Sequence, residues 1–437
     1  MIEINQHLFN LVCVDYFMEF VKNFGKRIEL ETGRLNYVGV LLPSPEKGSV
    51  LLKLENGYNL GFDKKVITKI KVLTRVKNVE IEKDFVVPIS EEKKNVALVI
   101  LGGTISARLN PGKGGVDFVE NSKDLFKFYP GIFEKVNVSR VEVPFMKGSE
   151  NMDSKDWQKV AKVVCDLVND KNISGVIVTQ GTDTLHYTSA ALSFFLQGVG
   201  KPVALTYSQR SIDRASSDAT LNLMCSAEIA VSDLSGVMVV GHANSDDEFC
   251  YAIPGTKVRK LHSSRRDAFK SVNREPFCKV YPNKIIVLSE YSRRNEKLKC
   301  VVDNKFEEKV GLLKFYPGQD SSILDYYVKE GFKGIVIEAF GLGQIATSEA
   351  RNSWIAKLKE VQKKGLIVCM ASQTIYGRLN PRVYVTGREL LELGIIYLED
   401  MLSEVALVKL GWILGHPSWN VKEKMLENVS WELNDRL

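Results

Sequence analysis

The sequence is poor in residues that bind metals or build disulfide frameworks. It has five histidines and seven cysteines in 437 residues, scattered along the chain. No HxxxH or HExxH spacing and no CxxC pair occurs, so there is no obvious zinc site. An odd number of dispersed cysteines is typical of reduced, buried thiols. Metal catalysis and a disulfide-stapled fold are therefore both disfavoured.

Long apolar runs are absent as well. No stretch reaches the ~18 residues that a membrane-spanning helix needs. Asp15 and Glu19 lie in the N-terminal segment, where a signal peptide would be uncharged. We therefore expect a cytoplasmic protein. The composition, 45% hydrophobic and 26% charged, is that of an ordinary globular chain, and the net charge of +6 permits an anionic partner without requiring one.

Nucleotide-binding fingerprints are also missing. Gly102-Gly103-Thr104 lacks the third glycine of the GxGxxG motif. Gly112-Lys113 is followed by Gly114, whereas a P-loop has Ser or Thr there. The sequence therefore predicts no nucleotide site of either kind.

A strand–turn–helix unit at residues 175–196 is the clearest pattern in the chain. Residues 175–179 have the β-branched density of a buried parallel strand, and apolar residues from Leu185 onward share one helix face. The turn between them reads Gln-Gly-Thr-Asp-Thr. Because ligands collect at the carboxyl ends of strands in open parallel sheets, we expect Thr182 and Asp183 at the mouth of a site. The same pair could instead be an ordinary helix N-cap.

Two further segments add matching chemical groups. Residues 95–100 form a second strand-like run, after which Gly102 and Gly103 allow a tight turn before Thr104. Residues 255–264 add several basic side chains beyond the strand-like residues 236–242. A threonine hydroxyl is a poor nucleophile at neutral pH and needs an adjacent base. Threonines, an aspartate and a lysine are the groups that could activate it.

Strands and helices alternate after residue 95, which predicts an α/β domain with a mostly parallel sheet. Its predicted strands are 95–100, 175–179, 202–206, 236–242 and 284–288, and its helices are 155–168, 183–197 and 217–231. A smaller parallel α/β unit follows the polar stretch 292–309. Its predicted strands are 311–316, 334–340 and 365–370, and its helices are 321–330, 349–363 and 402–414.

The first 94 residues have a different character. Apolar spacing predicts an amphipathic helix over 1–25, which either packs on its own domain or docks a partner. Short β-like runs at 37–42, 50–54 and 58–62, with an Asn-Gly turn before the last, predict a small β-barrel-like domain over 26–74. The Lys- and Glu-rich residues 75–94 predict a linker. We expect the remaining chain to comprise a catalytic α/β domain (95–291), a linker (292–310) and a C-terminal α/β domain (311–437).

Residues 102–105 (GGTI) and 180–184 (QGTDT) resemble the two amidase signatures of the L-asparaginase and glutaminase superfamily. The resemblance covers residues 95–437. Residues 255–273 align without gaps to the segment that supplies the family's catalytic lysine, which places it at Lys260. Within the superfamily, residues 149–152, 372–378 and the small N-terminal domain are similar to the D-subunit family of the archaeal-type glutamyl-tRNA(Gln) amidotransferase.

The resemblance implies two asparaginase-type α/β domains and a glutaminase that feeds ammonia to a partner subunit. That partner uses ATP and Mg to convert Glu-tRNA(Gln) to Gln-tRNA(Gln), and this subunit needs no cofactor or metal of its own. A homodimer is implied, which the partner subunit extends to a heterotetramer. Contact with tRNA is expected mostly through the partner.

The resemblance also implies roles for residues at matching positions. Thr104 would be the nucleophile, and its activating group would comprise Thr182, Asp183 and Lys260. The substrate-binding residues would be Ser149 and Glu150, which grip the amino and carboxylate ends of glutamine, with Gly103 and Gly181, whose backbone amides could stabilise the oxyanion.

Three positions depart from the family pattern. Gln180 replaces the usual His, the lid at residues 107–115 and the residues up to Phe118 have no Tyr, and Tyr207-Ser208 replaces smaller residues. For Gln180 we expect altered packing or hydrogen bonding with activity retained, and the three departures together indicate a divergent member of the family.

Two other functions stay open: a free-standing cytosolic L-asparaginase and an inactive scaffold that binds tRNA or a partner. Likewise, the basic residues between 257 and 270 could contact tRNA phosphates or form ion pairs within the protein.

Overall fold

The computed structural model describes residues 23, 25–33, 35–42, 44, 48–54, 59–73, 89–110, 115–118, 130–212 and 216–435. Most of the helix predicted over 1–25 and most of the linker predicted over 75–94 lie outside these residues. No helix within the described ranges is both long enough and apolar enough to cross a membrane.

The small N-terminal domain is a five-stranded antiparallel sheet with strand order β4-β3-β2-β1-β5. Its strands are β1 (Arg27–Thr32), β2 (Asn36–Leu42), β3 (Ser49–Leu54), β4 (Asn59–Asp63) and β5 (Ile67–Val72). Apolar and polar residues alternate along β1, so that Ile28 and Leu30 are buried while Glu29 and Glu31 face outward. The hairpin of β3 and β4 was predicted, although its turn lies outside the described residues. Strands β1 and β5 were not predicted.

The central unit is built on an eight-stranded sheet with order β18-β17-β14-β13-β12-β10-β6-β9. The strands of this unit are β6 (Asn95–Ile100), β7 (Ala107–Asn110), β8 (Gly115–Phe118), β9 (Asn137–Glu142), β10 (Val176–Thr179), β11 (Leu196–Gln197), β12 (Pro202–Thr206), β13 (Gly236–His242), β14 (Cys250–Pro254), β15 (Val258–Lys260), β16 (Phe269–Ser271), β17 (Cys278–Tyr281), β18 (Lys284–Val287) and β19 (Val301–Val302). Its helices are α1 (Pro130–Lys135), α2 (Ser154–Asn169), α3 (Leu185–Phe195) and α4 (Ala219–Ala230).

The central sheet is mixed. Strands β6, β10, β12 and β13 are parallel, as predicted, and β9, which was not predicted, lies parallel to β6. Strands β14, β17 and β18 add an antiparallel edge, so residues 284–287 form a strand as predicted but in the opposite direction. Three two-stranded sheets lie outside it: β7 with β8, β11 with β19, and β15 with β16.

The C-terminal unit has four parallel strands in the order β20-β21-β22-β23. These are β20 (Val310–Lys314), β21 (Gly334–Ala339), β22 (Ile367–Ser372) and β23 (Ile396–Tyr397), with helices α5 (Ile323–Lys329), α6 (Ile355–Lys363), α7 (Val385–Glu392), α8 (Ser403–Leu414) and α9 (Val421–Leu426). Helices α7 and α9 and strand β23 were not predicted.

Helix α3 is the structural link between the two α/β units. Ten of its eleven residues are buried, because it packs on the central sheet and against α8 of the C-terminal unit. The rings of Phe194 in α3 and Trp412 in α8 stack at 5.6 Å. Because α3 is covered on both sides, the turn at its N-terminus is attached to a firmly packed helix.

Candidate active site

The two glycine-containing turns of the central unit meet at one point. Strands β6 and β10 are parallel neighbours, so the turns that follow them lie side by side at the carboxyl edge of the sheet. Gly103 has a φ of 82°, and a Cβ placed on it would lie 2.2 Å from the backbone nitrogen of Gly181. Only glycine permits this backbone contact. Thr104 and Thr182 each follow one of the touching glycines, so the contact brings the two threonine-bearing turns together.

Thr104 starts a short 3₁₀ turn, Thr104–Ser106, and is partly buried. The turn is fixed by backbone hydrogen bonds: the Leu101 N–H donates to the Thr179 carbonyl at 2.9 Å, and the Ser106 N–H donates to the Gly103 carbonyl at 2.9 Å. Thr104, the candidate nucleophile, therefore lies in a segment whose backbone is held by hydrogen bonds.

Lys260 reaches this place from the hairpin of β15 and β16. Its Nζ donates to Thr182 Oγ1 at 2.7 Å and to Asp183 Oδ1 at 2.8 Å. The Lys260 side chain is 12% exposed and that of Asp183 is 62% exposed. The amine is thus held against a hydroxyl inside the site, while the carboxylate stays accessible to a ligand.

The Thr-Asp turn is not an N-cap in the usual sense. Thr184 occupies the N-cap position of α3, yet no side chain makes a capping hydrogen bond there. The Thr184 hydroxyl instead donates to the Ser149 carbonyl at 2.7 Å. The interpretation of Thr182 and Asp183 as a plain helix cap is therefore wrong.

Ser149 is a buried neighbour of the same turn. It begins the 3₁₀ helix Ser149–Asn151, and its Oγ accepts the backbone N–H of Asp183 at 3.1 Å. Glu150, next in the chain, is exposed. The structure thus brings Ser149, one of the residues predicted to bind substrate, against the Thr-Asp turn, and Glu150 follows it in the chain.

The departures from the family pattern are accommodated by packing. Gln180 is buried, and its Nε2 donates to Thr184 Oγ1 at 3.4 Å. The Tyr207 ring lies over Gly241, where a Cβ would be 2.4 Å from a ring carbon, and its hydroxyl donates to the Arg266 carbonyl at 3.0 Å. The lid is the hairpin of β7 and β8, whose tip, residues 111–114, lies outside the described residues.

His186 is a residue near the site that no sequence pattern singled out. It lies in the first turn of α3 and is 8% exposed. Burial, together with the positive charges of Arg259 and Lys260, lowers the pKa of His186 from 6.5 to about 4. A lone histidine on an apolar helix carries no sequence signal that could have revealed this environment.

The basic residues between 257 and 270 are paired inside the protein. Each forms an ion pair with an acidic residue: Lys257 with Asp400, Arg259 with Glu404, Lys260 with Asp183, Arg265 with Asp267, Arg266 with Asp247 and Lys270 with Asp267. This favours internal ion pairing over contact with tRNA phosphates. In the part of the chain that the structure describes, no group of three or more His, Cys, Asp or Glu side chains could hold a metal ion.

The fold and the site define an enzyme of the asparaginase class. Residues 95–293 match the N-terminal asparaginase family, residues 309–424 match the glutaminase/asparaginase C-terminal domain, and residues 22–73 match the GatD N-terminal domain. The thermostable L-asparaginase from Thermococcus kodakarensis aligns with a TM-score of 0.70 and 26% identity, over 78% of this chain and 100% of that one.

Curated relatives narrow the class. The D subunit of glutamyl-tRNA(Gln) amidotransferase from Pyrococcus horikoshii is 43% identical over 421 residues, 94% of each chain. The protein of the same name from Methanococcus maripaludis is 39% identical over 424 residues, 95% of this chain and 99% of that one. The chain belongs to the D-subunit family of glutamyl-tRNA(Gln) amidotransferase.

Proposed function

We propose that this chain is the glutaminase subunit of a tRNA-dependent amidotransferase. It hydrolyses glutamine to glutamate and ammonia, and the ammonia passes to a partner subunit that uses ATP to convert Glu-tRNA(Gln) to Gln-tRNA(Gln). The observation that carries the proposal is the position of Lys260 Nζ, 2.7 Å from Thr182 Oγ1, in the turn whose Gly181 touches Gly103, the residue before Thr104. Family membership supports the choice of this reaction.

The proposed chemistry is acyl transfer through a threonine ester. Thr104 Oγ attacks the side-chain amide carbon of glutamine, and its proton passes through the Thr182 hydroxyl to the amine of Lys260. Ammonia leaves with a proton returned by the same relay. Water then attacks the ester and releases glutamate. Asp183 keeps Lys260 at the relay through the 2.8 Å hydrogen bond.

Backbone amides near Gly103 and Gly181 are the proposed oxyanion donors, each contributing roughly 2.7 to 4 kcal/mol to the transition state. These amides sit in turns that are fixed before substrate arrives, so little reorganisation is needed. The proposal does not depend on any bound cofactor.

Substrate recognition is assigned to the polar rim of the Thr-Asp turn. The exposed carboxylates of Asp183 and Glu150 suit the α-ammonium group of glutamine. Ser149 Oγ accepts the Asp183 N–H and keeps its own proton to donate to the substrate carboxylate.

The proposed assembly is a homodimer joined by the ATP-using partner. Four apolar residues around the start of α7 and in the preceding loop are more than half exposed: Tyr376, Val383, Tyr384 and Val385. An exposed apolar patch of this kind supports a protein interface at the C-terminal unit. The division into a catalytic domain (95–291) and a C-terminal domain (311–437) is part of the same proposal.

The proposal is tested by ammonia release. The protein is assayed with glutamine and with asparagine, alone and with the partner subunit and Glu-tRNA(Gln). We expect glutamine to be preferred and its hydrolysis to rise when partner and tRNA are present. Thr104→Val and Lys260→Met should each abolish release, whereas Thr68→Val in the small domain should not. Preference for asparagine without any response to tRNA would indicate a free-standing asparaginase, and full complex activity with Thr104→Val would indicate a scaffold.

A further inference from the structure

Strand β15 is held from behind by the C-terminal unit. Side chains of a strand point alternately to its two sides. Lys257, which precedes the strand, and Arg259 pair with Asp400 and Glu404, at 2.7 Å each. Lys260, one position on, contacts Thr182 and Asp183 instead. One side of the segment therefore presents the amine, and the other is tied to a different part of the protein.

The two acidic partners stand on a rigid platform. Asp400 lies just before α8, and Glu404 is in its first turn. Glu404 is 5% exposed, and its second oxygen accepts the Ser403 hydroxyl at 3.2 Å. Asp400 also accepts the Asn434 N–H at 3.1 Å. Because α8 itself is almost wholly buried, these carboxylates cannot follow the strand if it shifts.

The buried side chains of Val258 and Phe269 anchor one side of the hairpin in the core. The hairpin pairs through only three residues on each strand, and it does not join the eight-stranded sheet. A relay of two hydrogen bonds at 2.7 and 2.8 Å tolerates a displacement of only about 0.5 Å. The ion pairs across the unit boundary join the segment that carries Lys260 to the C-terminal unit.

We propose that Arg259 and Glu404 are positioning residues for Lys260. Their ion pair ties β15 to the first turn of α8 and thereby holds Lys260 Nζ at hydrogen-bond distance from Thr182 Oγ1. The inference rests on the proposed function, because it takes Lys260 as the acceptor of the proton. It goes further in giving the C-terminal unit a part in catalysis through contacts that do not touch substrate.

The test compares glutaminase kinetics of the complex carrying Arg259→Gln, Glu404→Gln or both. We expect each single variant to lower kcat by about 10- to 100-fold, since a misplacement of about 1 Å has an effect of that size. KM should stay within about threefold, because the residues proposed to bind substrate lie on other segments. The double variant should be no worse than the worse single variant, since both changes remove one contact.

The matched control is Arg265→Gln. Arg265 pairs with Asp267 within the hairpin turn and is 57% exposed in its side chain, so removing it leaves the contact with α8 unchanged. We expect its kcat to stay within about twofold of the unmodified protein. Arg259→Lys, which keeps the charge, should recover part of the lost kcat.

Three results would overturn the inference. The single variants could keep kcat within threefold of the unmodified protein, or their losses could add in the double variant. The single variants could also change kcat in opposite directions, which is expected if the two opposite charges act only through their electrostatic fields. The folded fraction is measured by near-UV circular dichroism. If a Gln variant fails to fold, Arg259→Lys and Glu404→Asp carry the same comparison, with kcat again expected to fall at constant KM, and an unchanged kcat in both overturns it. The proposed function fails separately, if the unmodified complex releases no ammonia from glutamine.

Discussion

Replacing Gly103 with alanine should separate the two turns that form the site. The added Cβ would lie 2.2 Å from the Gly181 nitrogen and 2.3 Å from its Cα, whereas ordinary contacts begin at 3.4 Å. Both opposing atoms belong to backbone, which close packing holds in place, so the turns must move apart by about 1 Å. A misplacement of about 1 Å between reacting groups lowers kcat by about 100-fold, or about 2.7 kcal/mol in activation free energy.

Gly394→Ala is the matched control for this prediction. Gly394 has a φ of 80°, close to the 82° of Gly103, but a Cβ there would meet nothing within 4 Å. Both variants share the cost of placing an L-residue in the left-handed region, about 1 kcal/mol of unfolding free energy. Only Gly103→Ala should lose ammonia release in the complex, with the folded fraction checked by urea denaturation. Equal kcat values for the two variants would refute the reasoning.

Two further predictions concern buried charge. Lys409 and Glu432 form a fully buried ion pair at 2.6 Å. Glu432→Gln leaves the lysine charge buried without its partner and should lower the free energy of unfolding, measured in urea, by about 3 to 5 kcal/mol. Glu432→Leu combined with Lys409→Met should lower it far less, and equal losses in the two variants would contradict the prediction. The pKa of His186 is about 4 in the folded protein and 6.5 in the unfolded chain. As the pH falls from 6.5 towards 4, the unfolded chain therefore binds a proton at His186 that the folded protein does not. The protein should lose about 2 kcal/mol from this group between pH 7.5 and pH 5, a loss absent from His186→Gln, and identical pH dependences would disprove it.

Strand positions were the most predictable part of the fold. Strands β6, β12 and β13 have the predicted bounds, because strands buried on both faces read as continuous apolar runs. Strand direction was not predictable: residues 284–287 carry no signal that tells an antiparallel edge from a parallel neighbour. The missed strand β1 alternates apolar and charged residues, a signal that was present in the sequence, whereas Thr68 and Lys69 interrupt that alternation in β5.

The predicted start of α3 was early for a physical reason. Thr and Asp are common at helix N-termini, so the prediction began the helix at residue 183, whereas it begins at Leu185. Thr182 and Asp183 instead form hydrogen bonds with Lys260 and Ser149. A conflict of this kind between local preference and observed structure is expected at functional sites.

The sequence by itself determined which residues could carry the chemistry, because a glycine before a threonine, or a threonine beside an aspartate, is a local pattern. Only the tertiary structure decided where Lys260 stands, and which acidic residue meets each of Lys257 and Arg259. Lys257 and Asp400 are 143 residues apart in the chain, and their 2.7 Å contact exists because α3 and α8 bury their apolar faces against each other. Burial of those faces is a property of the whole fold. The acidic partners of Lys257 and Arg259 therefore cannot be read from the short stretch of sequence around either residue.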